Sequence, residues 1–338
     1  MRFRYYFIRR VLLQVLVIFG VLTLTFFITK SLPQNPVAVM LGMEAMRNPD
    51  LVKYVTVTWK LDRPIWEQYV WYVGNVLTGQ WGRSSWSRAP VIDDLGRRFP
   101  ATLELSIFAF LIAMGIAIPS GIISAMYRER PPDHLSRLLS VLGVSAPEFW
   151  WGILLLYVFY LQLGFAGSGR LSEIMFPPPH VTGMYLVDSL LAGQLNTFID
   201  ALRHIVLPAF TLGIGCCALT SRLTRSAMLE VLRKDYIRTA RMKGLPERRV
   251  ILRHALRNAL IAPITYMGPL FGSLLGGAVL VETIFNWNGM GSYIVNAVFA
   301  SDYPAILATT MIMAIIYSTA NLIVDLVYTF VDPRVRVT

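Results

Sequence analysis

Residues 11–28 read VLLQVLVIFGVLTLTFFI, a stretch of eighteen positions without a charged side chain. A helix of about 20 apolar residues crosses the roughly 30 Å of hydrocarbon in a membrane. The stretch is longer than the apolar part of a secretory signal, and the SLPQNP that follows it has no small-residue cleavage site. We therefore predict a membrane helix that stays in the mature protein.

The same pattern recurs along the chain. Of the 338 residues, 55% are hydrophobic and 15% are charged, whereas soluble proteins average about 25% charged. The fourth apolar run is short and contains Pro208, so it must borrow Thr220 and the residues after it to cross. The sequence thus predicts an all-α membrane protein with six transmembrane helices, at 11–28, 105–126, 138–163, 205–219, 259–281 and 306–331.

Positive charge is concentrated on one side of these spans. The segments predicted to be cytoplasmic are 1–10, 127–137, 221–258 and 332–338, and the external ones are 30–100, 164–204 and 282–305. The cytoplasmic segments hold 20 of the 31 Lys and Arg residues, although their total length is less than half that of the external segments. Because Lys and Arg stay on the cytoplasmic side, both termini are predicted inside. The net charge of +11 therefore reflects orientation, and no nucleic-acid partner is needed to explain it.

This organisation divides the chain into four parts. They are a tail with the first span (1–30), an external segment (31–100), a five-helix core with a cytoplasmic loop at 221–258 (101–331), and a cytoplasmic tail (332–338). The external segment is too long for a simple connector, so we expect it to be structured.

One part of the external segment has a helical pattern. In PIWEQYVWYVGNVLT (64–78), apolar residues recur at steps of three and four, at Trp66, Tyr69, Val70, Val73 and Leu77. The predicted amphipathic helix either lies along the outer headgroups, where Trp and Tyr are enriched, or serves as a docking platform for an external partner.

The fifth span carries three glycines at four-residue steps, Gly268, Gly272 and Gly276. This spacing lets membrane helices approach closely. It predicts a packing seam, and the spacing alone fits equally a seam within the chain and a seam against a second subunit that flanks a pathway.

Few acids lie near or inside the apolar runs. An ionisable side chain inside a span normally faces protein or water, because its insertion into lipid is unfavourable. Glu104 and Asp325 lie close to span ends, where they can act as anchors or helix-terminal charges. Glu148, which follows Pro147, is the candidate for a deeper structural or pathway role.

Motifs for catalysis or metal binding are missing from the sequence. None of the five lysines follows a glycine, which excludes a Walker A loop. The four histidines are scattered, and neither an H-E-x-x-H nor a G-x-S-x-G motif occurs. We expect neither a catalytic site nor a metal site, and this favours transport, channel or signalling roles.

The cytoplasmic stretch DYIRTARMKGLPERRVILRHALRN (235–258) has seven basic residues and two acids in 24 positions. It predicts a helix that ends at Gly244 and a second helix that restarts at Pro246. On the first helix, Tyr236, Ala240 and Gly244 are four residues apart, which predicts a face that a partner can approach closely. The stretch is either a basic loop that fixes topology and contacts lipid or a protein-docking loop.

The extended stretch DYIRTARMKGLPERRVILRHALRNALIAPIT resembles the cytoplasmic loop of binding-protein-dependent ABC importer permeases of the dipeptide and oligopeptide type, B-type subunit. Further segments resemble that family in the same order, so the resemblance covers essentially the full length. They are LDRPIWEQYVWYVGNVLTGQWGRS, FPATLELSIFAF, APEFWWGILLL, SRLTRSAMLEVLRKDY, ETIFNWNGMGSYI, SDYPAI and VDLVYTFVDPRVR.

The resemblance implies a type I ABC importer permease fold, in a bacterial or archaeal cytoplasmic membrane. It implies four kinds of partner: a second homologous permease subunit, two cytoplasmic ATPase subunits, an external substrate-binding protein and membrane lipid. No cofactor is expected on this chain, since ATP and Mg would be bound by the ATPases. The residues implied to dock an ATPase are Asp235, Tyr236, Arg238, Thr239, Ala240, Arg241, Lys243, Gly244 and Leu245.

Two positions depart from the family pattern. The proline expected after N-A-L-x comes one position late, at Pro263, and the usual W-P-G becomes Trp287-Asn288-Gly289. These leave open the kink before the fifth span and the form of an outer turn.

The implied function is passage of di- or oligopeptides from an external binding protein to the cytoplasm. The alternatives are a nickel or oligosaccharide substrate for the same kind of importer, an ion-coupled carrier or channel, and a membrane-anchored receptor or scaffold.

Overall fold

The computed structural model describes residues 3–31, 37, 47–165 and 167–331, without the side chains of 3–7, 277 and 324–331. The predicted tail 332–338, most of 32–46 and the side chain of Asp325 therefore lie outside the described residues. Within the described part, the backbone forms helices and turns, with one isolated bridge between Arg83 and Pro90.

The helices are numbered here in chain order. They are α1 (Phe3–Lys30), α2 (Pro49–Thr58), α3 (Ile65–Leu77), α4 (Val91–Met126), α5 (Pro131–Ser145), α6 (Glu148–Leu155, continued by the π-helical Leu156–Gln162), α7 (Tyr185–Leu191), α8 (Leu195–Val231), α9 (Asp235–Met242), α10 (Glu247–Ala259, with the π-helical Val250–Ala255), α11 (Ile261–Ile284), α12 (Met290–Phe299) and α13 (Tyr303–Val331).

Four helices in the described residues are long and apolar enough to cross a membrane: α1 from Ile8, α4, α8 and α13. Two further spans are formed if each of two bent pairs, α5 with α6 and α10 with α11, is counted as one. The structure thus gives four to six spans, and the predicted six is the upper count.

The predicted third span, 138–163, is wrong as a continuous helix. The chain turns by 105° between α5, which ends at Ser145, and α6, which begins at Glu148. The reason is Pro147, which has no backbone N–H to donate and disfavours helical conformation in Ala146 before it. Proline has less effect elsewhere, since α8 continues through Pro208 without a break.

The pair of helices α4 and α8 forms the centre of the bundle. On α4 a stripe of mostly small residues repeats every four positions from Ala101 to Ala125, and it is buried. A Cβ added at Gly213 would lie 2.8 Å from the carbonyl oxygen of Ala109, and one at Gly121 would lie 2.6 Å from Cβ of Thr224. Such close approach increases van der Waals contact between helices in lipid, where the hydrophobic effect does not drive them together.

The external segment is structured in its described part, and α3 packs against α1. The hydroxyls of Tyr69 and Thr23 are 2.7 Å apart, and Val73 and Val76 pack near Leu22. Only part of the predicted apolar face packs against α1: Tyr69 and Val73 do so, whereas Trp66, Val70 and Leu77 are exposed. Both readings of this helix, headgroup contact and docking platform, stay predictions.

Candidate functional site

The cytoplasmic loop folds into the predicted pair of short helices. Asp235 lies in the first turn of α9, where its negative charge interacts favourably with the positive end of the helix dipole. The helix ends at Met242, and Gly244 adopts φ +72°, the left-handed conformation that glycine tolerates best. Pro246 then precedes α10. The predicted turn between two helices is confirmed.

An apolar cluster fixes this loop to the bundle. Ile237 of α9 is completely buried, as are Met228 near the end of α8 and Val250 of α10, and the three belong to one cluster with Ala125 of α4. The cluster therefore joins α9 to the ends of two central helices.

The predicted face made by Tyr236, Ala240 and Gly244 is wrong in one position. Ala240 points into the apolar cluster and is buried by the chain itself, so it is not free for a partner. A spacing of four places residues on one face but does not say whether that face turns inward. Ala240 belongs to the anchored side of α9.

The other predicted docking residues form a polar, mostly basic surface. Asn258 donates to the hydroxyl of Tyr236 at 2.9 Å, and Arg241 donates to Glu247 at 2.6 Å. Leu245 is half-buried against the apolar cluster. The exposed members are Asp235, Tyr236, Arg238, Thr239, Arg241, Lys243 and Gly244. Their role in docking stays a prediction.

A buried ion pair lies near the loop. Asp133, at the start of α5, is fully buried and accepts two hydrogen bonds from Arg225 of α8, at 2.7 and 2.8 Å. Ser124 of α4 donates to the same carboxylate at 2.6 Å. This pair joins α4, α5 and α8 at the loop end. Sequence reasoning missed it, because the two residues are far apart along the chain.

The opposite end of the bundle has a larger buried polar network. Glu104, predicted as an anchor, is 2% exposed; it accepts from Arg170 at 2.7 Å and from the backbone N–H of Leu186 at 2.7 Å. The guanidinium of Arg170 lies 3.5 Å from the ring centroid of Tyr185, a cation–π arrangement. Glu104 therefore connects α4 to the segment before α8.

Glu282 extends this network and was missed at the sequence level. Its carboxylate is fully buried and accepts from Thr102 at 2.6 Å and from the N–H of Ser292 at 2.9 Å. Nearby, the indole of Trp287 donates to the carbonyl of Ala101 at 2.9 Å. The position of Glu282 directly after the apolar run 259–281 is the sequence signal that could have located it.

The outer turn at Trp287-Asn288-Gly289 is well fixed although the family's proline is missing. Arg98 donates to the side chain of Asn288, and Trp287 is buried. Asn288 thus contributes a polar contact where proline would contribute rigidity.

The three glycines of α11 have different surroundings. A Cβ at Gly272 would lie 2.5 Å from the side-chain oxygen of Asn321 on α13, so this glycine serves packing within the chain. Gly268 is buried, and Gly276 is exposed. A seam against a second subunit at Gly276 stays a prediction.

Glu148 lies at the start of α6. Its Oε1 would be 3.6 Å from a Cβ added at Gly215 of α8, and within the described residues its carboxylate has no hydrogen bond or ion pair. Across those residues, no group of three His, Cys, Asp or Glu side chains is placed to hold a metal.

The helices long enough to cross a membrane are those of a multi-pass membrane protein, and a loop of two short helices is packed against their ends. Family models identify the class as a transport permease. That of the "binding-protein-dependent transport system inner membrane component" matches residues 117–337, and that of its N-terminal part matches residues 2–107.

Curated relatives are similar over nearly their whole lengths. The chain is 43% identical to the probable D,D-dipeptide transport system permease DdpB of Escherichia coli K12, covering 95% of this chain and 94% of the relative. It is 42% identical to the di/tripeptide permease DppB of Pseudomonas aeruginosa (97% of each) and 36% identical to the glutathione permease GsiC of E. coli O1:K1 (98% of each). The chain belongs to the family of binding-protein-dependent transport system inner membrane components.

Proposed function

We propose that this chain is the permease subunit of an ATP-driven importer for di- or oligopeptides. The observation that carries the substrate class is the near-full-length identity of 36–43% to permeases named for dipeptides, tripeptides and glutathione. The chain works with a second homologous permease, two cytoplasmic ATPase subunits that bind ATP and Mg, and an external binding protein. Both termini face the cytoplasm, as the distribution of Lys and Arg supports.

The loop is the part through which the ATPases act. Its exposed basic surface docks in an ATPase, and its buried surface is packed against α4 and α8 through Ile237, Met228 and Ala125. Because packed side chains resist compression, movement of α9 carries the ends of the two central helices with it. The helices can then rock between inward-open and outward-open arrangements.

Replacing Gly244 with tryptophan tests this function. No atom lies within 4 Å of a Cβ added there, so the new side chain would occupy the space of the docked ATPase. The φ of +72° adds a strain of roughly 1–2 kcal/mol to any other residue. We expect peptide uptake by the assembled transporter to be abolished, while the amount of protein in the membrane stays unchanged.

A matched control separates strain from docking. Gly193, in the external part, has φ +67° and equally open surroundings. Gly193→Trp should keep uptake, measured with radiolabelled dialanine in cells that express the whole transporter. Normal uptake by Gly244→Trp would contradict the docking role, and absence of dialanine uptake by the wild type would contradict the peptide assignment.

A further inference from the structure

Glu148 differs from Glu104 and Glu282, the two other glutamates with described side chains that lie inside the predicted apolar runs or next to their ends. Glu104 is paired with Arg170, and Glu282 accepts hydrogen bonds from Thr102 and Ser292. Glu148 has no such partner among the described residues. A carboxylate in this position is unfavourable unless it faces water or a ligand.

The position of Glu148 is within the hydrocarbon. It lies against Gly215 of α8, and the exposed Arg203 and Arg222 mark the two sides of the membrane on that helix. At 1.5 Å per residue, Gly215 is about 18 Å from Arg203 and about 10 Å from Arg222 along the helix axis. By this measure Glu148 lies inside the predicted span, nearer to its cytoplasmic end.

The backbone beside Glu148 is also incomplete. Helix α5 ends at Ser145. The N–H of Ala146 still donates to the carbonyl of Leu142, but Pro147 has no N–H to donate to the next carbonyl of the last turn. Non-helical backbone at this depth is tolerated only where it is buried in protein or lines a water-filled cavity. In secondary transporters, substrate sites are typically formed at discontinuous helices of this kind.

The described residues cover the break only in part, since Ala146 and Glu148 are half-buried. Ser145 and Pro147 are exposed, and so are the aromatic side chains of Phe149 and Trp150 that flank Glu148. The carboxylate and the free carbonyls of α5 are all acceptors, and together they suit a group that carries several N–H donors and a positive charge.

We propose that Glu148 lines the translocation path and contacts the protonated amino terminus of the peptide as it crosses the membrane. This inference rests on the proposed function, because it takes the substrate class from it. Every di- or oligopeptide with a free amino terminus carries this ammonium, so the contact serves a range of sequences.

The first test measures transport and stability together in the complete transporter. Glu148→Gln should lower the rate of dialanine import about tenfold or more, as expected for losing a hydrogen bond to a charged group. The same change should not lower the melting temperature, because the carboxylate makes no hydrogen bond or ion pair within the described residues. Glu148→Asp should restore part of the import, and the exposed Glu173→Gln is the control that changes neither quantity.

Other outcomes overturn the proposal. If Glu148 instead pairs with a basic residue of the second permease, Glu148→Gln will lower the melting temperature or dissociate the complex. Unchanged import by this variant, beside normal import by the wild type, rejects the role of Glu148 and leaves the peptide function standing. Failure of the wild type to import dialanine rejects the peptide function itself.

A second test depends on the sign of the charge. In a background with Cys216 and Cys217 replaced by alanine, Glu148→Cys is treated with a negatively or a positively charged methanethiosulfonate. The negative adduct should restore dialanine import, and the positive adduct should not. If neither reagent reacts, the site is not lined by water; if both restore import equally, charge is irrelevant. Either result contradicts the proposal.

Discussion

The two ends of the bundle are held together by different forces. At the outer end, buried carboxylates such as Glu104 and Glu282 are fixed by hydrogen bonds to residues far away in the sequence. At the loop end, α9 is held mainly by apolar contacts of Ile237 and Ala240. Hydrogen bonds between buried groups depend strongly on geometry, whereas apolar contacts tolerate small shifts.

This difference bears on the proposed function. The outer end joins α4, α11 and the segment before α8 through hydrogen bonds between buried groups. In the proposed function, the loop end follows the movement of a partner, and the apolar cluster keeps α9 in contact with α4 and α8 as it moves. The ion pair of Asp133 and Arg225 fixes α5 to α8, so a movement of α9 that reaches α8 would carry α5 as well.

The largest loss of stability is expected from breaking the outer network, which is the set of buried hydrogen bonds and ion pairs around Glu104 and Glu282. Arg170→Met leaves Glu104 buried without its cation, which should lower the free energy of unfolding by about 3–5 kcal/mol. Thermal unfolding in detergent measures the effect. Adding Glu104→Gln to this variant should recover part of the lost free energy of unfolding, because the unpaired carboxylate is then replaced by a neutral amide.

The exposed pair of Arg128 and Glu129 provides the control for this prediction. Arg128→Met removes the same type of side chain at the surface, where an ion pair contributes about 0–1 kcal/mol. Equal losses for Arg128→Met and Arg170→Met would show that the outer network does not hold the fold.

A smaller loss is expected at the loop end. Ile237→Ala should lower the free energy of unfolding by about 2–3 kcal/mol, in the lower part of the range for buried aliphatic residues, because the loop can partly collapse. It should also weaken the coupling of ATP hydrolysis to uptake, measured as more ATP hydrolysed per peptide imported. Met242→Ala on the exposed side of α9 should change stability by no more than about 0.5 kcal/mol. If Ile237→Ala hydrolyses as much ATP per imported peptide as the wild type, the proposal that α9 passes its movement to α4 and α8 is contradicted.

Sequence patterns predicted the parts of the fold that depend on local physics. The apolar runs located α1 and α13, because a span is recognised by length and hydrophobicity alone. Gly244 and Pro246 located the turn between α9 and α10, because each has a restricted or special backbone preference. Pro147 indicated a kink, but the sequence did not predict how large it is, because apolar residues continue on both sides of the proline; the chain turns by 105° there.

The outer network could not be predicted, because its partners are brought together only by the fold. Arg170 and Glu104 are 66 residues apart, and Ser84 and Asp302, which share a hydrogen bond of 2.6 Å, are 218 apart. The inward turn of Ala240 was missed for the same reason. Helical spacing groups residues on a face, but only the packing of the whole chain decides which face is buried.

The smallest predicted effect lies within the outer end and depends on pH. Asp188 of α7 is buried, which disfavours its charge, but hydrogen bonds from the N–H and hydroxyl of Thr182 and from the N–H groups of Gly183 and Val181 outweigh burial and lower the pKa of Asp188. A lowered pKa means that the carboxylate stabilises the fold above the pKa of the unfolded chain, and that this contribution is lost as the pH falls.

Asp188→Asn should therefore lower the free energy of unfolding by about 1 kcal/mol at pH 7, the difference between hydrogen bonds to a charged and to a neutral acceptor. The gap between the melting temperatures of wild type and variant should narrow as the pH is lowered through the pKa of Asp188, because the wild type then loses its charge as well. Glu173→Gln, which changes an exposed acid outside the helices at the same end, is the control that should show no gap. A gap that stays constant across this pH range would mean that the shape of the Asp188 side chain, and not its charge, holds the turn before α7.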